Sequence, residues 1–375
     1  MKIFIKNFLK LFIGKKLLKK IFYENVSTLK SKDFKKWWFS YSNENDLDLD
    51  LKLMVNDLVL TNNFKNYSSY WNSLAKEHIK LLKEKGINNF KQTIEKHHYW
   101  GEGTVISELL KPIYDDEILI SYDPKELSKK HDFCELQESK EYNKSNLILL
   151  NYLIKNNYQK YLDKLSEDKF GNPIVFNYKN KQYSFALLNS ILEIATLEKN
   201  INLDQFNSIL EIGAGSGRTC SSLLKMRGNL NYTIVDIPPA LFLCQSNLIN
   251  TFENKKIFKY RNFKNFKDIK KEFISSDIRF LSPEQLTLIP NKFFDLSVAI
   301  DCLHEINKVQ VEWYFSEFNR LSKNLFFKCQ NNQWATFEKN KYSIDNYPVK
   351  NNWLKIIHEK CYIPNGYFNA IYKIN

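Results

Sequence analysis

The stretch at 209–219, ILEIGAGSGRT, constrains the fold of this 375-residue chain more than any other. An apolar run suited to a buried strand enters three glycines at alternate positions, Gly213, Gly215 and Gly217, and a helix-forming sequence follows. Glycine there lets the chain turn sharply and lets backbone approach a ligand with no Cβ in the way. Beyond residue 200, short apolar runs alternate with helical ones, the pattern of βαβ units feeding a mostly parallel sheet. Seven strands are predicted, at 208–212, 232–236, 257–260, 278–281, 294–300, 325–329 and 367–374, with helices at 219–226, 240–251, 266–274 and 309–321. Ligands of such sheets bind at the carboxyl ends of the strands, so the residues there carry the functional weight.

Nineteen residues past Gly217, Asp236 ends the second predicted strand, where a carboxylate can accept both hydroxyls of a ribose. Dinucleotide sites use the same logic, but their G-x-G-x-x-G would need glycine at 218, which is Arg218. Glu211 followed by G-x-G-x-G instead resembles motif I of class I S-adenosylmethionine-dependent methyltransferases. The resemblance implies an α/β fold: a class I methyltransferase Rossmann-like domain with a mostly parallel seven-stranded sheet and helices on both faces. It implies S-adenosylmethionine as cofactor, bound by Glu211, Gly213, Gly215, Gly217, Asp236 and Ile237. Phe280, Leu281, Ser282 and Glu284 fall where that pattern flanks adenine. The next strand delivers Asp301, and then His304 and Glu305, to the same edge, with Asp301 serving cofactor, chemistry or both.

Two local features narrow the resemblance. Val235-Asp236-Ile237-Pro238-Pro239 resembles the D-L/I-P segment of small-molecule O-methyltransferases, and Leu303-His304-Glu305 resembles their L-H-D segment, whose His serves as general base. Order and spacing over about 167–330 resemble the sugar O-methyltransferases of bacterial surface-polysaccharide gene clusters, which implies a sugar or glycan-precursor acceptor. Glu305 stands where the pattern has Asp, and many of the polysaccharide enzymes carry Gln in place of His304. Methyl transfer from a sulfonium is an in-line displacement in which alignment is the main task. A sugar hydroxyl is a poor nucleophile, so a base would add roughly 10² to 10⁴. His304, with an ordinary pKa near about 6.5, is the natural base, and Glu305 or Asp301 would orient it or hold a hydroxyl. Asp301 and Glu305 could contribute to a metal site, but no clear Asp-Asp or Asp-Asn pair stands beside them, and no metal is expected.

The organisation reads as a basic segment at 1–24, a mainly helical region at 25–170 that caps the acceptor site, and a cofactor-binding domain at 171–375. A helix is predicted over 70–85, ended by Gly86. The alternating Asp and Leu at 46–51 suit a strand or a helix start. Trp37, Trp38, Tyr70 and Trp71 are expected in the core, and the cluster HHYWGEG at 97–103 suits either a buried aromatic cluster or a sugar site. A hairpin is expected from 174–178 and 182–185 across Lys179-Asn180-Lys181, and then a helix over 187–197.

Charge bears on partners. The chain has 55 Lys and Arg against 42 Asp and Glu, a net +13, of which seven positive charges lie in the first 23 residues. Only five of the 55 are Arg, whereas base and phosphate recognition favours the guanidinium, so no nucleic acid partner is expected. Residues 2–22 gather lysines on one side of a helical wheel and Ile, Leu and Phe on the other, which suits peripheral contact with an anionic membrane or packing on the body of the protein. Six scattered cysteines with no C-x-x-C pair fit a reduced, cytoplasmic chain. Two other functions stay open: O-methylation of a phenol or polyketide, and a non-catalytic docking protein of glycan assembly.

Overall fold

Capping groups and apolar stripes set the helices of the first half. The computed structural model describes residues 28–61, 67–95, 109–114, 140–331 and 342–375. The basic segment and the 97–103 cluster lie outside the described residues. Asp48 decides the fate of the alternating 46–51 stretch: its carboxylate accepts the N–H groups of Asp50 (2.8 Å) and Leu51 (3.3 Å) and so starts a helix, satisfying donors that would otherwise be orphaned. The first helices are α1 (Ser31–Glu44), α2 (Leu49–Leu60) and α3 (Ser69–Lys85), the last capped by Ser68 and closed by Gly86 at φ +77°. Trp38 is wholly buried, as expected, and donates to Asn56 Oδ1 at 2.8 Å, while Trp37 is only half-buried, packing against that core and stacking on Tyr41. Helices α4 (Lys140–Lys155) and α5 (Gln159–Lys164) complete this region.

A short hairpin follows, β1 (Phe176–Tyr178) and β2 (Lys181–Tyr183). Its turn is the two residues Lys179 and Asn180, both left-handed at φ 48° and 61°, so Lys181 belongs to the strand and not to the turn. Helix α6 (Phe185–Asn200), capped by Ser184, is longer at both ends than its apolar periodicity alone indicates. The polypeptide between α5 and the hairpin is pinned to both halves. Glu167 receives Lys91 at 2.8 Å, and Asp168 receives Ser221 at 2.9 Å and Lys225 at 2.5 Å.

The remainder is the expected α/β unit, in the order β3 (Ser208–Ile212), α7 (Arg218–Met226), β4 (Asn231–Val235), α8 (Ala240–Thr251), β5 (Ile257–Phe258), α9 (Phe266–Ser275), β6 (Ile278–Leu281), β7 (Leu296–Ile300), α10 (Lys308–Leu321), β8 (Asn324–Gln330), β9 (Leu354–Lys360) and β10 (Tyr367–Lys373). The strands form one sheet in the order β5-β6-β4-β3-β7-β8-β10-β9. All pairs from β5 to β8 are parallel, and β10 runs antiparallel between β8 and β9. The sheet therefore has eight strands and not seven. The added strand is β9, whose sequence LKIIHEK lies largely exposed at the sheet edge and so lacks the apolar run that marks a buried strand.

Strand alternation sorts the core into two layers. Ile209, Tyr232, Ile234, Phe280 and Val298 face α6, α7 and α8. Leu210, Ile212, Val235, Leu281 and Ala299 face α9 and α10. The first layer is continuous with the core of α1 to α4, so the helical region and the sheet share one apolar interior. Polar tethers lie over it: Gln245 donates to Asp50 at 3.1 Å, Tyr260 to Asp57 at 3.0 Å and Tyr67 to Glu284 at 2.8 Å. Among the described residues no helix is long and apolar enough to cross a membrane.

Candidate active site

The chain places β4 and β6 on one side of β3 and then returns to lay β7 and β8 on the other, so the strand order reverses between β3 and β7. That is the switch point at which open α/β sheets form their ligand crevice. The glycine turn leaves β3 there, Asp236 follows β4, and the segment Asp301–Glu305 follows β7.

All three glycines have positive φ, +68° at Gly213, +60° at Gly215 and +85° at Gly217. Sequence reasoning assigned them to ligand approach, and two have a nearer reason. A Cβ on Gly213 would lie 2.5 Å from Cys302 Cβ, and one on Gly217 would lie 2.8 Å from Cys244 Sγ. These positions let the β7 turn and α8 close on the loop. Asp236 fixes the third: its Oδ2 accepts the Gly215 N–H at 2.9 Å and its Oδ1 accepts the N–H of Ile237 at 2.7 Å. Burial pushes its pKa up to about 7, against the lowering effect of those two N–H groups.

The other cofactor candidates divide. Glu211 is buried beneath α7, accepting the Tyr232 hydroxyl at 2.8 Å, and burial raises its pKa to about 7. Leu281 is wholly buried in the α9–α10 layer, so its side chain belongs to the core and not to the crevice. Ser282 opens a capping box with Gln285, its N–H donating to Gln285 Oε1 at 3.0 Å. Glu284, two residues on, has Oε1 bound by Tyr67.

Beyond β7, His304 and Glu305 occupy a single 3₁₀ turn, Leu303–Glu305. Burial, helped by Lys328, pushes the pKa of His304 down to about 3, so its ring is neutral. Its Nδ1 is buried without a hydrogen-bond partner among the described residues, and its Nε2 lies 3.9 Å from Glu305. The ring meets Tyr367 edge to face at 6.1 Å. Burial and then the charges of Asp301 and Asp236 push Glu305 up to about 8, although 23% of its side chain remains open to water. The two neighbours thus exchange the strengths their ordinary pKa values give them: Glu305 is the stronger base.

Sequence reasoning missed the group that holds this edge together. Glu193 of α6 accepts both arms of Arg218, Oε2 at 2.6 Å and Oε1 at 2.9 Å, together with Lys328 Nζ at 2.8 Å. Asp301 lies 3.3 Å from Lys328 and 3.5 Å from Arg218. Burial alone would raise Glu193, but the two cations outweigh it and hold its pKa below the usual carboxylate value. The signal was present: a lone Lys in the buried strand NLFFKCQ and a Glu in the apolar helix FALLNSILEIATL must each find a partner of opposite charge. Sequence reasoning also placed Tyr70 in the core, where the structure sets it near Glu305 with its phenol held neutral by burial and then by that carboxylate.

No family model matches this chain, and no curated protein matches it. Solved structures with which it shares similarity include a protein of Pyrococcus horikoshii OT3, at 13% identity over 53% of this chain and 93% of that one, with a TM-score of 0.32. Human N-acetylserotonin methyltransferase, solved in complex with S-adenosylmethionine, matches at 11% identity over 51% of this chain, with a TM-score of 0.32. This chain spans 56% of the length of that enzyme. The methyltransferase domain of bacterial CtHen1 matches at 13% identity over 50% of this chain and 97% of its own length, with a TM-score of 0.32.

Proposed function

We propose that this chain is an S-adenosylmethionine-dependent O-methyltransferase acting on a hydroxyl of a sugar or glycan precursor. The observation that carries the reading is the crevice itself: a glycine turn clamped by Asp236 through the Gly215 N–H, at the switch point, beside a carboxylate of raised basicity. Asp236 suits the ribose, since each of its oxygens keeps a lone pair after accepting one N–H. Gly213, Gly215 and Gly217 form the turn against which the cofactor rests, with Ile237 and Ser282 at the neighbouring strand ends. The bound cofactor supplies an electrophilic methyl group.

Glu305 accepts the proton of the acceptor hydroxyl in this reading, and neutral His304 orients the acceptor or the Glu305 carboxylate. Glu305 carries the role because its raised pKa makes it the better base and a quarter of its side chain faces solvent, where an acceptor can reach it. Tyr67, just before α3, donates to Glu284, and the Tyr70 phenol lies within electrostatic reach of Glu305. Tyrosines and carboxylates are groups that bind a polyhydroxylated ring, by CH stacking and hydrogen bonds, and their nearness at this edge supports a sugar acceptor.

Titration calorimetry with S-adenosylhomocysteine tests the cofactor, comparing wild type with Asp236→Ala. Micromolar binding that Asp236→Ala loses while its thermal unfolding stays cooperative supports the reading. Absence of binding to folded wild-type protein refutes it. A screen of nucleotide sugars, glycan oligomers and phenols then tests the acceptor.

A further inference from the structure

Glu305 stands at the crevice without a counter-ion. Its turn is stitched to the glycine turn: the Glu305 N–H donates to the Cys302 carbonyl at 3.1 Å, the Cys302 thiol donates to the Ile212 carbonyl at 3.2 Å, and Cys302 packs against Gly213. Among the described residues only the His304 ring comes within salt-bridge range of the carboxylate, at 3.9 Å, and that ring is neutral. Both cations of this edge are engaged elsewhere. Arg218 and Lys328 lie 2.6 Å and 2.8 Å from Glu193, and 3.5 Å and 3.3 Å from Asp301. The other groups that face Glu305 are negative or neutral. Asp301 and Asp236 face it from just past β7 and β4, and the Cys302 thiol, the Tyr70 phenol of α3 and the Tyr367 phenol of β10 all keep their protons, chiefly through burial.

A carboxylate partly withdrawn from water and set beside two others is costly to ionise until a cation arrives. Asp301 has two cations in range and Asp236 has two backbone N–H groups, whereas Glu305 has neither. The counter-charge is therefore left for a ligand to bring. S-adenosylmethionine and its demethylated product share adenine, ribose and amino acid, and differ in one respect that an unpaired carboxylate can sense. The sulfonium is a cation and the thioether is neutral. A cation beside Glu305 favours its ionised form, and by reciprocity an ionised Glu305 favours the cation.

Resting on the cofactor reading above, we infer that Glu305 is the residue by which the site tells S-adenosylmethionine from S-adenosylhomocysteine, ionised beside the sulfonium and protonated beside the thioether. The transfer step removes the charge and supplies the proton together. As the acceptor oxygen bonds to the methyl carbon, the carbon–sulfur bond breaks with its electron pair left on sulfur, and Glu305 takes the hydroxyl proton. A neutral Glu305 then faces a neutral product, and the attraction that held the cofactor is gone. A turnover limb measured at low cofactor concentration reports the free chain, at about 8, and saturating cofactor moves that limb to lower pH.

The test is calorimetric and needs no acceptor. The full chain is titrated with S-adenosylmethionine and with S-adenosylhomocysteine at pH about 6 and about 9, on either side of the Glu305 range. The ratio of the two affinities cancels every contact the ligands share, those of Asp236 included. In wild type that ratio is expected to move at least about tenfold toward S-adenosylmethionine between the two pH values. At pH about 7, S-adenosylmethionine is expected to release more protons on binding than S-adenosylhomocysteine does, read from the heats in buffers of different ionisation enthalpy. Glu305→Gln is expected to make the ratio independent of pH while binding S-adenosylhomocysteine as wild type does. A wild-type ratio that does not change with pH overturns the inference without any variant. Glu305→Gln that keeps the wild-type pH dependence, or that weakens both ligands alike, also overturns it. If wild type binds neither ligand, the cofactor reading itself fails and takes this one with it.

Discussion

Glu193 and Glu305 are both carboxylates withdrawn from water at the same sheet edge, and the protein treats them oppositely. Glu193 lies between Arg218 and Lys328 with Asn189 as a further donor, and its charge is secured. Glu305 has no cation within salt-bridge range among the described residues, the His304 ring beside it being neutral, and it faces Asp301 and Asp236 instead, so its proton is held more tightly. Asp236 follows Glu305, with two backbone N–H groups and, among the described residues, no cation in salt-bridge range. Burial alone does not mark a functional group. Burial with full compensation builds a scaffold, whereas burial beside like charge leaves a group whose protonation can change at neutral pH.

Breaking the compensated set should have the largest effect. Glu193→Ala removes the partner of two cations, one of them on a side chain only 2% exposed, and leaves uncompensated buried charge. A loss of about 3–5 kcal/mol is expected by denaturant unfolding. A loss below about 1 kcal/mol would mean that water reaches Lys328 and Arg218 and that the set is no scaffold.

The uncompensated set should matter for rate. Glu305→Gln is expected to lower turnover by about 10² or more. Wild-type turnover should rise with pH through about 8, as Glu305 loses its proton, and the variant should lose that limb. His304→Ala should keep the limb, because the imidazole is already neutral across that range. If the limb follows His304 and not Glu305, the roles return to those its sequence pattern suggests.

Gly213→Ala separates the loop's internal fit from its ligand role. A left-handed alanine costs about 1–2 kcal/mol, and its Cβ meets Cys302 at 2.5 Å, adding a further ~1–3 kcal/mol of overpacking. Pairing it with Cys302→Gly should recover the steric part, measured by thermal unfolding. Failure to recover any of it would place the close approach elsewhere.

These contrasts show which parts were legible in the sequence. Helix and strand positions in the second half were, because apolar runs of the right length between glycines and prolines leave few other folds; α8 runs over the expected 240–251 without change. Strand β9 was not, since an exposed edge needs no apolar run. Asp236 and the glycines were legible because local backbone geometry demands those residue types. The Glu193–Arg218–Asp301–Lys328 set was not, since its members come from four elements up to 135 residues apart and only the fold joins them. The exchange of basicity between His304 and Glu305 was hidden for the same reason: it depends on which charges the fold places beside each, and sequence supplies only the ordinary pKa values.

The smallest expected effect is a pH dependence of stability, and its sign follows from the uncompensated set. Glu305 and Asp236 keep their protons up to about 8 and about 7 in the folded chain, whereas the unfolded chain releases them near about 4. Between those values the folded state binds more protons than the unfolded one, so stability contributed by these groups is present below pH about 4 and is lost as pH rises toward 8. Glu193 acts the other way, since its lowered pKa gives stability that is present above the unfolded value and is lost only in acid. Wild-type protein should therefore lose on the order of 2 kcal/mol between pH 5 and 8 by denaturant unfolding, less than the full shifts allow because part of Glu305 is open to water. Glu305→Gln should flatten the slope and be more stable than wild type at pH 8. A wild-type slope of the opposite sign would show that solvent or a compensating cation reaches Glu305, and would erase its difference from Glu193.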